Sequence, residues 1–139
     1  MADETKLALT VATPLGMQLD LEVESVQLPG VAGEFGVLPG HVPLLAALRA
    51  GVLRYRQQGQ IVLAAIGSGF AEADATRVRV ISEFFSKPSD VSIDEARADL
   101  SKAEQSLKAH AILDEPEHVE AQGELDWAQA RIEVASGVH

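Results

Sequence analysis

The sequence predicts antiparallel β-sheets, packed as a sandwich or barrel, in its first part and an antiparallel two-helix hairpin in its second. Two observations carry this prediction. Apolar residues recur at every second position through much of the chain as far as Val80, and the spacing becomes helical after Pro88. The chain has 139 residues, and a chain of about 150 residues buries roughly 70% of its unfolded surface. A core is therefore attainable without disulfides or metals.

The strands are predicted from alternation, because successive side chains of a strand point to opposite faces. Three runs show it, with inward positions at Leu7, Leu9 and Val11, then Met17, Leu19, Leu21 and Val23, then Val78 and Val80. Residues typical of turns separate the runs: Pro14-Leu15-Gly16, Pro29-Gly30, Gln58-Gly59, Gly67-Ser68-Gly69 and Asp74-Ala75. Many short strands at close spacing favour antiparallel sheets. Because aromatic residues are few, the core should be aliphatic.

The hairpin begins at a capping box, Ser92-Ile93-Asp94-Glu95, in which Ser92 and Glu95 satisfy each other's backbone amides. A first helix should end near His110, and Pro116 suits the first position of a second helix. One apolar stripe on each helix is predicted to form the seam: Ile93, Ala96, Leu100, Ala103 and Leu107, then Ala121, Leu125, Ala128, Ile132 and Ala135. Alanine buries little area, so the hairpin is either weakly docked and able to extend, or a small fixed unit.

The boundary between the two parts is placed at Lys87-Pro88-Ser89-Asp90, because proline disfavours continuing a central strand or a helix. Residues 1–87 are predicted to form the β-domain, and residues 88–139 the helical hairpin domain.

Charge and composition exclude several classes of function. The formal net charge is −10, with 12 acidic and 5 basic side chains in residues 86–139, which argues against nucleic acid or anionic lipid as a partner. The absence of cysteine excludes thiolate metal sites. No apolar run reaches the roughly 18 residues of a membrane span, so direct membrane insertion is not expected. Residues 1–6 are polar and acidic, unlike a secretory signal.

Residues 29–48 carry the most specific motif, PGVAGEFGVLPGHVPLLAAL. It closely resembles the signature of the epsilon subunits of bacterial F-type ATP synthases, a G-E-apolar-G-apolar-x-P-G-H-x-P-L-L stretch. The matching positions are Gly33, Glu34, Gly36, Pro39, Gly40, His41, Pro43, Leu44 and Leu45. The segment is interpreted as a long glycine- and proline-rich connection, and such loops often carry function. It is not a phosphate-binding loop, because no Gly-Lys-Ser/Thr follows the glycines.

His41 is the residue that a catalytic interpretation would use. A hydrolase pairing His41 with Asp or Glu is one rival, but no serine or cysteine nucleophile accompanies it. A turn-stabilising or interface role for His41 is favoured, and no catalytic residue is predicted. A second rival is a stand-alone ligand-binding β-sandwich with a helical appendage.

A second stretch, Ile93-Asp94-Glu95-Ala96-Arg97-Ala98, is similar to the family's I/L-D-x-x-R-A motif. In some bacterial members this motif helps the folded hairpin to bind ATP. The resemblance implies ATP contacts by Ile93, Asp94, Arg97 and Ala98, together with Arg131 on the second helix. Trp127 stands where another basic residue would be expected, so the cations that would meet a triphosphate are few. No cofactor is required, and no metal site is predicted.

The resemblance implies a sandwich of ten strands and a non-catalytic subunit of the central stalk. Its expected partners are the gamma subunit, the proton-driven c-ring, and the catalytic alpha/beta head when the hairpin extends. Glu34, Phe35, Gly36 and His41 are expected to contact the c-ring. The expected location is peripheral, at the cytoplasmic face of the bacterial inner membrane. In the last stretch one basic residue, Arg131, is outnumbered by four acidic residues. Binding of the extended hairpin to the head, and the restraint of ATP hydrolysis that it would cause, should therefore be weak.

Overall fold

The structure is a computed structural model that describes residues 5–137. Residues 1–4, which hold most of the polar N-terminal stretch, and residues 138–139 lie outside the described part. Ten strands precede two helices: β1 Leu7–Thr13, β2 Gly16–Val23, β3 Ser25–Gly30, β4 Gly33–Val37, β5 Leu44–Leu48, β6 Gly51–Gln57, β7 Gln60–Ile66, β8 Gly69–Ala73, β9 Arg77–Ser82, β10 Phe85–Ser86, α1 Ile93–Ala109 and α2 Pro116–Ser136.

The strands form a sandwich of two layers, joined where β3 meets β5 at Gly30 and Leu48. The first sheet contains β4, β3, β6, β7 and β10, and the second sheet contains β5, β8, β9, β1 and β2. Most neighbours are antiparallel, as predicted. Alternation does not reveal strand direction, however, and β1 pairs with β9 in parallel, from Ala8 beside Arg77 to Ala12 beside Ile81.

The core between the sheets is aliphatic, as predicted. Its fully buried large side chains come from both layers: Leu7, Leu9, Val11, Val23, Val26, Leu28, Val37, Leu53, Ile66, Val78 and Val80. Tyr55 is the aromatic residue buried among them, and burial raises the pKa of its phenol.

Met17 departs from the predicted alternation. Val11 pairs with Leu19 but Ala12 pairs with Met17, so Gln18 is an extra residue on β2 and the register shifts. A one-residue shift moves a side chain to the opposite face of a strand. Leu19 and Val23 consequently point into the core, whereas Met17 points outward and is 61% exposed.

The helical hairpin follows a 3₁₀ turn at Pro88–Asp90. Ser92 caps α1 by accepting a hydrogen bond from the Glu95 amide at 3.3 Å, which is one of the two bonds of the predicted capping box. The seam between the helices is centred on buried alanines, as the spacing predicted: Ala96, Ala103, Ala121 and Ala128. Among residues 5–137, neither helix has the length and apolar character needed to cross a membrane.

The second helix has a further apolar side that the predicted stripe did not include. Ala130 and Val134 are buried against Val52, Leu63 and Ala65 on the outer face of the first sheet. Nearby, the Trp127 ring stacks on Phe84, with ring centroids 5.1 Å apart. The hairpin is therefore docked on the sandwich in this structure.

Candidate interaction surfaces

The motif segment is not a single loop, and this part of the sequence interpretation was wrong. Residues 33–37 form β4, which pairs with β3, and residues 44–48 form β5, which pairs with β8. Residues 38–43 form the connection between these two strands. The preceding turn falls at residues 31–32 rather than at Pro29-Gly30. Gly30 belongs to β3, where an added Cβ would lie 2.6 Å from the Gly33 carbonyl oxygen.

Glu34 and His41 lie toward opposite ends of the sandwich. Beside Glu34, the turn at residues 31–32 is bonded to the end of β5, through the Val31 amide and the Ala47 carbonyl. The loop that holds His41 is bonded to the β8–β9 turn, through the Gly40 amide and the Ala75 carbonyl at 2.8 Å. We call these the Val31 end and the Ala75 end. A single contact made by Glu34 and His41 together does not fit this geometry.

At the Val31 end, Glu34 projects from β4 onto the outer face of the first sheet. Its carboxylate accepts a hydrogen bond from Arg54 on β6, at 3.3 Å. The second arm of the Arg54 guanidinium reaches Glu133 of α2, at 3.1 Å. Glu34 is thus tied through one cation to the hairpin, a connection that the sequence pattern alone did not indicate.

Phe35 and Gly36, the other two predicted contact residues of β4, differ in their accessibility. Phe35 is half-buried, and its ring packs against the sandwich core. Gly36 is exposed and pairs with Gln27 of β3. Phe35 therefore packs β4 against the core, while Glu34 and Gly36 are the predicted contact residues of this strand that a partner can reach.

At the Ala75 end, His41 has the geometry of a turn residue. Its backbone amide donates to Leu38 and its ring Nδ1 lies 2.6 Å from the Val42 carbonyl oxygen. The neighbouring β8–β9 turn is held by Asp74, whose pKa is lowered chiefly by a hydrogen bond from the Thr76 amide.

The outer face of the second sheet carries one apolar row that the rest of residues 5–137 leaves uncovered. Strand register aligns one residue from each of its five strands in a row, with Phe70 57% exposed and Ile81 65% exposed. The full row is Ala47, Phe70, Ile81, Ala12 and Met17. We call it the open face. The outward alternation of Phe70 and Ile81 was a signal available in the sequence.

The residues predicted for ATP binding do not form a cationic pocket. Arg131 is bound to Asp99 of α1 at 2.9 Å, and its guanidinium lies 5.3 Å from the centroid of the Trp127 ring. Arg97 and Ala98 are exposed, as is Asp94 in the first turn of α1, and Ile93 is half-buried. Within the described residues, Asp94 and Arg97 form no ion pair with each other. The Arg131 cation is already matched by a carboxylate and an aromatic ring.

Two further features lie near the hairpin link. A cleft of about 800 Å³ opens between α2 and the Val31 end, with acidic residues such as Glu83, Glu120 and Glu124 in its lining. The possible metal-ligating atoms of His110, Glu115 and Glu117 lie within 4.8 Å of one another. Both carboxylates are at the start of α2, where free backbone amides already stabilise negative charge, so this group gives no ground for a metal site.

Comparison with known proteins first defines the class. The family described as "ATP synthase, Delta/Epsilon chain, beta-sandwich domain" matches residues 6–88. A relative named "ATP synthase epsilon chain", from Nitratidesulfovibrio vulgaris, is 39% identical over 94% of this chain and 96% of its own. A relative of the same name from Gloeobacter violaceus is 35% identical over 95% and 98%. The chain therefore belongs to the ATP synthase delta/epsilon family, and these relatives match it along nearly its full length.

Two solved structures share the fold. A chain in a structure of the Euglena gracilis mitochondrial ATP synthase, containing OSCP, F1 and the c-ring, is 20% identical with a TM-score of 0.78. This match covers 97% of the present chain and 82% of the other. A chain in the central stalk and c-ring of the Tetrahymena thermophila enzyme is 13% identical with a TM-score of 0.56, covering 98% and 96%. At these identities the matches describe the architecture alone.

Proposed function

We propose that this chain is a non-catalytic rotor subunit of an F-type ATP synthase, in which the sandwich joins the gamma subunit to the c-ring. Torque would pass through it during proton-coupled ATP synthesis. The observation that carries the proposal is the open face on a chain of this family. A contiguous apolar surface on a small domain marks a protein contact.

The open face is the surface we assign to the gamma subunit. Its row contains Phe70, Ile81 and Met17, and aromatic and methionine side chains are enriched in the centres of protein interfaces. Exposed glutamate, arginine and aspartate flank the row, at Glu72, Arg79 and Asp20 in the adjacent register. An apolar centre with a polar rim is the usual anatomy of such a contact.

The Val31 end is the surface we assign to the c-ring. Leu15 at the β1–β2 turn is 93% exposed, Val31 is exposed at the β3–β4 turn, and Glu34 lies next to the latter. Strand ends of a rigid sandwich can bear load with little deformation. Because His41 lies at the Ala75 end, we leave it out of this contact.

The hairpin is proposed to restrain ATP hydrolysis when it extends toward the alpha/beta head, and only weakly. The second helix contains one arginine, Arg131, and five acidic residues: Glu117, Glu120, Glu124, Asp126 and Glu133. In the docked state Arg131 is bound to Asp99, so ATP binding by the hairpin would have to displace that pair. The assembled subunit would sit peripherally, at the cytoplasmic face of the inner membrane.

The experiment that tests the gamma assignment replaces the two large residues of the open face, as Phe70→Ser with Ile81→Ser. Removing two central anchors should weaken binding to purified gamma by about 100-fold, since each anchor of this kind is worth on the order of 1–2 kcal/mol. Binding is measured by calorimetry, and circular dichroism checks that the fold persists.

The matched control replaces two equally exposed apolar residues of the hairpin link, as Ile112→Ser with Leu113→Ser. It should bind gamma as the parent does. Unchanged affinity in the Phe70/Ile81 variant, or a comparable loss in the link variant, would contradict the assignment.

A further inference from the structure

Arg54 connects the surface that we assign to the c-ring with the docked hairpin. Its Nη1 lies 3.3 Å from Glu34 on β4, and its Nη2 lies 3.1 Å from Glu133 on α2. The Arg54 side chain is only 20% exposed, while both carboxylates are about twice as accessible. A largely covered cation therefore stands between two acids that belong to different parts of the molecule.

The position of Arg54 on the first sheet explains its cover. It shares the outer face of β6 with Val52, and its cross-strand neighbour on β7 is Leu63. Val52 and Leu63 pack against α2, so docking of the helix withdraws water from this part of the sheet. On its other side, Arg54 reaches over β3, whose Gln27 pairs with both Arg54 and Gly36. That reach brings the guanidinium to Glu34.

The two carboxylates use different nitrogens of one planar group, so they do not compete for the same donor. When α2 docks, Arg54 loses hydration, and a charge that loses water depends more on its remaining partners. Glu34 also restricts the rotamers of a flexible side chain before Glu133 arrives. Both effects make the Glu34 and Glu133 contacts mutually supportive.

We propose that Arg54 is a positioning residue. It couples two events: binding of a partner to the Glu34 carboxylate and docking of the hairpin on the sandwich. A partner that takes the Glu34 carboxylate away from Arg54 loosens the α2 contact, and hairpin release in turn frees Glu34 for that partner. The reciprocity follows from linkage. The naming of the c-ring as this partner rests on the proposed function, whereas the coupling within the chain does not.

The test measures hairpin opening in the isolated full chain. The sequence contains no cysteine, so Ala130→Cys, buried between α2 and the first sheet, places one thiol whose modification rate reports opening. Adding Glu34→Gln should raise that rate by about two- to fivefold, the range expected for partly exposed ion pairs. A thiol at Ala71→Cys, in the sandwich core, reports global unfolding, and its modification rate should not change.

The sign of the effect separates coupling through Arg54 from simple repulsion between Glu34 and Glu133. Repulsion predicts that Glu34→Gln slows modification, and that result would overturn the proposal. In the background of Arg54→Gln, Glu34→Gln should no longer accelerate modification. If it does, Arg54 is not the link. Glu72→Gln changes a matched exposed glutamate beside the open face and should leave the modification rate of Ala130→Cys unchanged.

An assembled complex distinguishes this coupling from the partner assignment. Binding of the chain to a gamma and c-ring assembly should raise the Ala130→Cys rate over that with gamma alone, and Arg54→Gln should abolish the increase. If assembly changes nothing while the isolated chain behaves as expected, the coupling stands and the c-ring assignment of Glu34 fails. If the isolated chain shows no coupling, the proposal fails whatever the assembly does.

Discussion

The two outer faces of the sandwich are both apolar in part, but within residues 5–137 only one of them is covered by the chain itself. On the first sheet, Val52, Leu63 and Ala65 lie under α2. On the second sheet, Phe70 and Ile81 have no such cover. The covered face packs Val52, Leu63 and Ala65 against Ala130 and Val134 of α2, whereas the open face leaves Phe70, Ile81 and Met17 exposed.

The difference indicates two kinds of contact. Small residues allow a helix to approach closely but bury little area, so the docked state is stabilised modestly. Large exposed side chains gain more when a partner covers them. The hairpin contact is suited to opening and closing, and the open face to a lasting association. The hairpin contact is the weaker of the two, and it can be removed completely or altered one residue at a time.

Truncation after Lys87 removes the cover from the first sheet, and this should have the largest effect. The chain should remain folded, because the core between the sheets comes entirely from β-strands. Its free energy of unfolding should fall by about 2–4 kcal/mol, as Val52 and Leu63 lose their apolar cover. Urea denaturation followed by circular dichroism measures the change. A truncated chain without β-structure would refute autonomy of residues 1–87.

Replacing Trp127 by alanine should weaken docking without affecting the sandwich core. The change removes a stack on Phe84 and a cation–π contact with Arg131, together worth roughly 1–2 kcal/mol. Thiol modification at Ala130→Cys should accelerate accordingly. Trp127→Phe retains an aromatic ring and should lose less than half as much free energy of docking as Trp127→Ala. Equal losses in both variants would show that the stack is not what holds the helix.

Gly123→Ala should give the smallest effect, and a stabilising one. An added Cβ at this position in α2 meets no atom within 4 Å, and alanine is favoured over glycine in a helix by about 0.5–1 kcal/mol. The thermal midpoint of the hairpin transition should rise. Gly137→Ala is the contrasting control, because Gly137 ends α2 with a φ of +71° that disfavours a side chain. A lower thermal midpoint for Gly123→Ala would indicate that another group contacts the backbone at Gly123 and leaves no room for a Cβ.

Much of the architecture follows from local patterns, and the exceptions share one cause. Alternation located β1, β2 and β9 and buried Leu7, Leu9 and Val11 as expected, and the proline-marked start of α2 was confirmed. The errors concern how the elements pair with one another. The parallel pairing of β1 with β9 and the second buried side of α2 depend on partners far along the chain. The bulge that turns Met17 outward depends on the register between β1 and β2.

The candidate surfaces show the same division. The motif supplied candidate contact residues, and it was interpreted as placing Glu34 and His41 in one loop, because spacing along the chain does not give direction in space. Arg54 carries no motif, and its partners Glu34 and Glu133 are 20 and 79 residues away. The membership of the chain in its family was evident from the sequence, while the geometry of the contacts required the structure.

The parallel pairing of β1 with β9 bears on the order in which the molecule is made. Ala8 and Thr10 of the first strand stand beside Arg77 and Arg79 of the ninth, so the second sheet cannot close until residues near 82 have left the ribosome. Until then β1 and β2 form an isolated hairpin, and such a unit is marginal in water. The open face would thus come into existence late in synthesis. A gamma subunit that captures the chain by this face would select chains whose β-domain is complete.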